Sequence, residues 1–285
     1  MPRVMNVLDL PFVNKLTPVR KGAAFALQIP RYLRRLNSTP DDFESNPPVI
    51  VNSIPKSGTH LLMQIARALP WTRYYGSFLA QQPSLTLRRR GQREIDAGLA
   101  RLVPGEVIGT HLHYTPETAS LLRQVNAVHL MIIRDPIDVL LSEAHYLRSM
   151  ARFHRMHREF KGLDEGQARQ LALAGSGPSR DIFPAFPERI KPYAGWLDDP
   201  DCCVVRFEQF ALTAERRKAV ETIVEFWAGR IHLQKPGELE GIVEHCIAAI
   251  DPARSHTTST RKREKPDTGD FGQEEIDGLR SMLHY

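Results

Sequence analysis

Cysteine is scarce in this chain, three residues in 285, and its placement excludes the roles it most often signals. Cys202 and Cys203 are adjacent and Cys246 stands far off, which gives neither a disulfide framework nor zinc-ligand spacing. A reducing, cytoplasmic setting is the expectation. Long uncharged runs are also missing. The longest stretch without Asp, Glu, Lys or Arg, Tyr74 to Leu87, contains Gly76, Gln81, Gln82 and Pro83, a poor sequence for a membrane-spanning helix. Near the N-terminus, Asp9 and Pro11 interrupt the apolar run that a secretory signal needs, and no small-residue cleavage site follows. Internal repeats and low-complexity tracts are absent as well.

What is present has globular proportions. Hydrophobic residues make up 42% and charged residues 25%, so the chain can bury a core, and its length suits one substantial α/β domain with appendages. The net charge of +5 fits nucleic acid, anionic lipid or a small ligand with several phosphates, and does not choose among them. Residues 1–47 read as a basic extension and linker. Arg20, Lys21, Arg31, Arg34 and Arg35 surround the apolar Ala23 to Ile29, which predicts one or two short helices. Asn37 to Pro48 has linker composition. The main domain is then 48–285.

From Val49 onward, short apolar runs alternate with amphipathic helices, the pattern of parallel strands joined by crossover helices. Val49, Ile50 and Val51 lead through a turn into Leu61, Leu62, Ile65, Ala66 and Leu69, at helical spacing. Val107 and Ile108 precede Thr115 as N-cap and Pro116 at the first helical position. Val128 to Ile133 precede Asp135 as cap and a helix from Pro136 through Leu147, and Val204 and Val205 precede a helix from Ala214 to Trp227. Such a sheet binds ligands at the carboxyl ends of its strands. Gly175 to Pro187 and Arg261 to Asp270 read as loops, Tyr74 to Leu87 as a pocket-shaping loop, and Arg88, Arg89 and Arg90 as a solvated helix face.

The sharpest chemical feature is Ile54, Pro55, Lys56, Ser57, Gly58, Thr59 between an apolar strand and a helix. Unpaired N–H groups and the helix dipole favour an anion at such a helix start, Gly58 lets the chain approach closely, and Lys56 adds a full positive charge. The standard P-loop places lysine after its second glycine, whereas Lys56 precedes Gly58 by two positions, which disfavours an ordinary kinase or ATPase. A second anion site is indicated at the next strand end by Arg134, with Ser142 eight residues on beside the packing stripe of Ile137, Leu140, Leu141, Ala144 and Leu147.

Together these segments resemble the sulfotransferase family over roughly Val49 to Phe271. Pro55, Lys56, Ser57, Gly58 and Thr59 are similar to its 5′-phosphosulfate loop, Arg134 to Ser142 to its 3′-phosphate motif, and Gly109, Thr110, His111, Leu112 to the strand end where the family often places its catalytic base. The resemblance implies a three-layer α/β fold, a parallel sheet flanked by helices and akin to P-loop nucleotide-binding folds. It also implies 3′-phosphoadenosine 5′-phosphosulfate as sulfuryl donor, with no metal required. Pro55 to Thr59 would hold the donor's 5′ end, Arg134 and Ser142 its 3′-phosphate, and Arg261, Lys262 and Arg263 a closing lid. Lys56 would stabilise the leaving oxygen and His111 would act as general base, in preference to His113. The family's adenine-stacking tryptophan position is here Leu61.

The acceptor implied is a hydroxyl, less favourably an amine, of a small molecule, lipid headgroup or carbohydrate. No nucleic-acid partner is expected, and residues 1–36 are candidates for peripheral membrane contact. Two rival readings differ in kind. One is a nucleotide-dependent phosphotransferase with an atypical loop, sensitive to chelator. The other is a non-enzymatic module for anionic membrane or nucleic acid, with a steep salt dependence.

Overall fold

The computed structural model describes residues 7–10, 13, 17–233, 236–251 and 271–285. Three helices come first, α1 (Thr17–Ala26), α2 (Gln28–Leu36) and α3 (Pro40–Ser45). The alternating part follows with β1 (Val49–Ser53), α4 (Thr59–Ala66), β2 (Arg73–Ala80), α5 (Gln92–Leu99), β3 (Glu106–His111), α6 (Pro116–Gln124), β4 (Val128–Ile133) and α7 (Pro136–Ser149). Helices α8 (His157–Phe160), α9 (Glu165–Ala174) and α10 (Phe186–Ile190) precede β5 (Cys202–Arg206), and α11 (Thr213–Arg230), α12 (Pro236–Ala248) and α13 (Gln273–Ser281) complete the described chain.

The five strands form one parallel sheet in the order β2-β3-β1-β4-β5. Strand β1 is central and wholly buried, which explains why it reads as a continuous apolar run rather than an alternating one. Its side chains still alternate between two cores. Val49 and Val51 join Val107, Leu130 and Val205 on the face covered by α4, α11 and α12. Ile50 joins Ile108, Met131 and Cys202 on the face covered by α5, α6, α7 and α13. Three layers result, with helices on both sides of a parallel sheet.

The helix starts follow their capping residues. Thr115 Oγ1 accepts from the Thr118 N–H at 3.0 Å, and Asp135 Oδ1 accepts from the Ile137 N–H at 2.9 Å. Because the chain leaves β1 toward the β3 side and later crosses to β4, the carboxyl ends of β1, β3 and β4 frame a crevice at the point where the strand order reverses.

Three segments differ from the sequence expectation. Within the stretch read as linker, Thr39 donates its N–H to Asp42 Oδ2 at 2.8 Å, and that local bond opens the short helix α3. The first half of Tyr74 to Leu87 is strand rather than loop. Strand β2 pairs with β3, but its register shifts between Tyr74 and Phe78, and the irregularity around Gly76 erases the expected alternation. Arg88, Arg89 and Arg90 precede α5 instead of lying on a helix, since Gly91 and Glu94 start the helix after them, the Gly91 N–H bonding Glu94 Oε2 at 3.1 Å.

The N-terminal helices lie against the edge strand β2. A Cβ at Gly76 (φ 77°) would fall 2.8 Å from Ala24, Gln28 Nε2 donates to the Tyr75 carbonyl at 3.2 Å, and Arg31 Nε meets the fully buried Glu106 at 2.7 Å.

Candidate active site

Loop 54–58 turns sharply between β1 and α4. Lys56 adopts φ 74° and Gly58 φ 112°, successive bends that aim backbone N–H groups toward one side. Gly58 is required twice over. Its dihedral is one that side chains rarely adopt, and an added Cβ would lie 2.5 Å from the Phe207 ring. Gly58 caps α4 with no side chain of its own, and the positive end of the helix dipole faces the loop, where it favours an anion. Ser57 is fully buried, yet its Oγ has no hydrogen-bond partner among the described residues.

Lys56 lies with its Nζ 4.1 Å from the centre of the Tyr146 ring. Burial pushes its pKa down to about 8, opposed by the Glu143 carboxylate and aided to a lesser degree by the nearby Arg134 guanidinium. Two cations that repel across one cavity are both relieved by an anion placed between them. Arg134 itself is held by Asp138, Nη2 to Oδ2 at 2.8 Å, and lies 4.8 Å from the Phe207 ring centre.

His111 ends β3, where the sheet fixes its backbone. Buried Asn52 on β1 donates to the Leu112 carbonyl at 3.1 Å and accepts from the Leu112 N–H at 2.9 Å and from Thr110 Oγ1 at 3.1 Å. Both neighbours of His111 are thereby clamped. The imidazole Nδ1 lies 2.8 Å from the Ser53 carbonyl, which can only accept, so Nδ1 carries the proton and Nε2 is the basic nitrogen. Ser53 Oγ bonds Thr59 Oγ1 at 2.6 Å, linking the histidine strand to the anion loop. Burial, partly offset by that carbonyl, pulls the His111 pKa down to about 4. Phe78 packs edge-on at 5.0 Å. His113 lies beyond the strand against Tyr193 at 4.9 Å, with a buried Nδ1 unpartnered among the described residues and a pKa also lowered to about 4, chiefly by burial.

One cavity of about 1590 Å³ unites these groups. Pro55, Lys56, Gly58, Thr59, His111, Arg134 and Ser142 all line it, whereas Ser57 lies buried within the loop behind it. Arg261, Lys262 and Arg263 fall outside the described residues. The volume exceeds the roughly 300–1,000 Å³ of a single-ligand pocket, leaving room for two substrates. Of its lining, Leu61, Phe207, Phe210 and Ile250 belong to the core on the α4, α11 and α12 side, and a second arm of Leu87, Tyr146, Phe183 and Tyr193 to the core on the other face, with Phe78 and Met150 also in the lining. In the second arm each arginine is engaged. Arg189 pairs with Glu143 at 2.5 Å and covers the Phe183 ring at 3.9 Å, Arg169 pairs with Glu165 at 2.9 Å, and Arg90 donates to the Ala80 carbonyl at 2.9 Å.

Sequence reasoning missed Asn52, Ser53, Glu143 and Tyr146. Asn52 and Ser53 are polar residues inside an apolar strand, an oddity that was legible. Glu143 and Tyr146 follow Ser142 on α7 and carry no such mark.

A parallel α/β sheet whose strand ends present a phosphate-type loop, a second cationic site and a basic histidine defines a group-transfer enzyme acting on a doubly anionic ligand. The profile of the sulfotransferase domain matches residues 46–275, and the chain belongs to that family. Among solved structures it resembles mouse sulfotransferase SULT7A1 complexed with PAP, at 18% identity and a TM-score of 0.50, over 82% of either chain. It also resembles retinol dehydratase in complex with androsterone and inactive cofactor PAP, at 14% identity and a TM-score of 0.45, over 83% of this chain and 79% of that one. No curated protein matches the chain.

Proposed function

We propose that the protein transfers a sulfuryl group from 3′-phosphoadenosine 5′-phosphosulfate to a hydroxyl, less favourably an amine, of a small uncharged acceptor with an apolar body. The observation that carries this reading is the opening of the 54–58 loop, Arg134 with Ser142, and His111 onto a single cavity. A donor with a phosphosulfate at one end and a phosphate at the other calls for two separated cationic sites in that cavity. Hydrogen bonds to charged groups contribute about 1.5–3 kcal/mol each, so a few suffice for firm binding. Leu61, Phe210 and Ile250 would contact the purine in place of an aromatic stack.

When bound, the donor supplies an activated sulfuryl group and a phosphate leaving group. The residues supply position and charge. The first turn of α4 and Lys56 hold negative charge where it grows on the leaving oxygen, an interaction stronger in the transition state than before it. His111 Nε2 takes the acceptor proton, and the Ser53 carbonyl holds the ring in the tautomer this needs. The aromatic arm excludes water. With Arg189 and Arg169 paired to Glu143 and Glu165, it favours an uncharged acceptor body over a multiply charged one. Three buried cysteines, all free thiols, are in keeping with a reducing compartment.

The test is an assay of labelled donor against a mixed panel of phenols, aliphatic alcohols, amines and sugars, with mass detection of product. Sulfated phenol or alcohol, formed equally with and without chelator, is the expected result. Phosphorylated product, or activity abolished by chelator, would replace this reading with a phosphotransferase.

A further inference from the structure

Helix α2 presents a face that nothing in the described chain covers. Phe25, at the end of α1, and Ile29, Tyr32, Leu33 and Leu36 of α2 are between 53% and 78% exposed, and α2 has no buried residue. Their spacings of four, three, one and three place them on one stripe, and Leu27 between the two helices keeps helical dihedrals, so the stripe runs on from α1. Five large apolar side chains in one row are an interaction surface, unlike scattered single exposures.

Charge selects the occupant. From Leu10 to Pro40 the chain has six basic residues, Lys15, Arg20, Lys21, Arg31, Arg34 and Arg35, and no Asp or Glu. Arg31 pairs with Glu106 of the domain and Arg34 with Asp42 of the neighbouring α3, so both point away from the apolar stripe. Lys15, Arg20, Lys21 and Arg35 remain with no acid in the segment to offset them, so a second copy would bring one net-positive segment against another. An apolar stripe with aromatics, on a segment of uniformly positive formal charge, instead matches the boundary between acyl chains and anionic headgroups.

We propose that α2, with Phe25, docks the protein on an anionic lipid surface. Because α2 anchors at Tyr75 of the edge strand and at Glu106, which begins β3, while the cavity opens at the strands' carboxyl ends, the docked protein keeps that cavity open to solution. Neither transfer chemistry nor donor binding is needed for this docking.

Co-sedimentation of the full chain with phosphatidylcholine vesicles, with and without phosphatidylserine, tests it. Binding to the phosphatidylserine vesicles, weakened by raised salt and reduced by about tenfold or more in Ile29→Glu/Leu33→Glu, is the expected result. Binding of 3′-phosphoadenosine 5′-phosphate by the same variant should match that of the unaltered chain, which shows that the fold is intact and separates this proposal from the enzymatic one. No sedimentation with anionic vesicles, equal binding by the variant, or a dimer in solution that the double substitution dissociates would each overturn the proposal, the last in favour of a second copy.

Discussion

His111 and Lys56 both lie in the cavity as groups whose ordinary titration is displaced by burial, and each displacement has a kinetic consequence. With its pKa drawn down to about 4, His111 is already neutral at pH 5, and it loses base function only as pH falls through that lower value. The profile of kcat/KM should therefore stay flat between pH 5 and 7, and a half-maximum near the ordinary 6.5 would contradict the burial argument. His111→Ala should lose about two or more orders of magnitude in turnover with little change in affinity for 3′-phosphoadenosine 5′-phosphate. Near-normal turnover there beside an inactive His113→Ala would move the role to His113. Lys56 works in the opposite sense, losing its charge as pH rises through about 8. A bound anion favours the charged form, so affinity for the same nucleotide should fall above pH 8, by at most about tenfold per unit. Calorimetry at pH 7 and 9 reads this, and Lys56→Arg should flatten the dependence. Lys56, His111 and Arg134 were legible because their residue types stand at strand ends beside capping signals. Asn52 and Ser53 stood out as polar residues in an apolar strand, but what they clamp did not, since Thr110, His111 and Leu112 become their neighbours only once β1 and β3 pair.

At the level of elements, the turn between β1 and α4 depends on Gly58 in both its dihedral and its contact with Phe207. Gly58→Ala should cost more than about 1 kcal/mol of stability and weaken nucleotide binding, since the strained loop and the displaced Phe207 act together. Thermal melting with calorimetry checks both, and a variant that melts and binds like the unaltered chain would contradict the geometry. The extension before β1 bears on stability through several contacts, of which the Arg31–Glu106 pair is buried. Arg31 neutralises Glu106, which is fully buried, so Arg31→Ala should destabilise by about 3–5 kcal/mol, and Arg31→Ala with Glu106→Gln should recover most of that. A chain beginning near Asp42 is expected to melt lower for the same reason yet still bind nucleotide once folded. Strands β1 and β4 were readable as apolar runs because both their faces are buried. Strand β2 was not, because it lies on an edge and its register breaks around Gly76.

The whole molecule follows from repetition of one unit. Four of the five strands announced themselves as an apolar run followed by a capped helix, and repetition of that unit leads to a parallel sheet with its site at the carboxyl ends. Chain order alone did not show that β3 and β4 flank β1, and it is this arrangement that brings the loop after β1, His111 and Arg134 around one cavity. The aromatic part of the cavity was illegible for a related reason. Phe78, Tyr146, Phe183 and Tyr193 come from four distant segments and share no pattern until α7 and the chain around α10 close over the sheet. Among the described residues, no helix is long and apolar enough to cross a membrane.

The central claim is that one cavity holds a nucleotide by two separate anion sites, and titration calorimetry with 3′-phosphoadenosine 5′-phosphate and with AMP tests it most directly. The unaltered protein should bind the first far more tightly, by a factor on the order of 10–100 for one charge-assisted contact set, and Arg134→Ala should abolish most of that preference while leaving AMP affinity nearly unchanged. Equal affinity for the two nucleotides, or a preference that survives Arg134→Ala, would contradict the account.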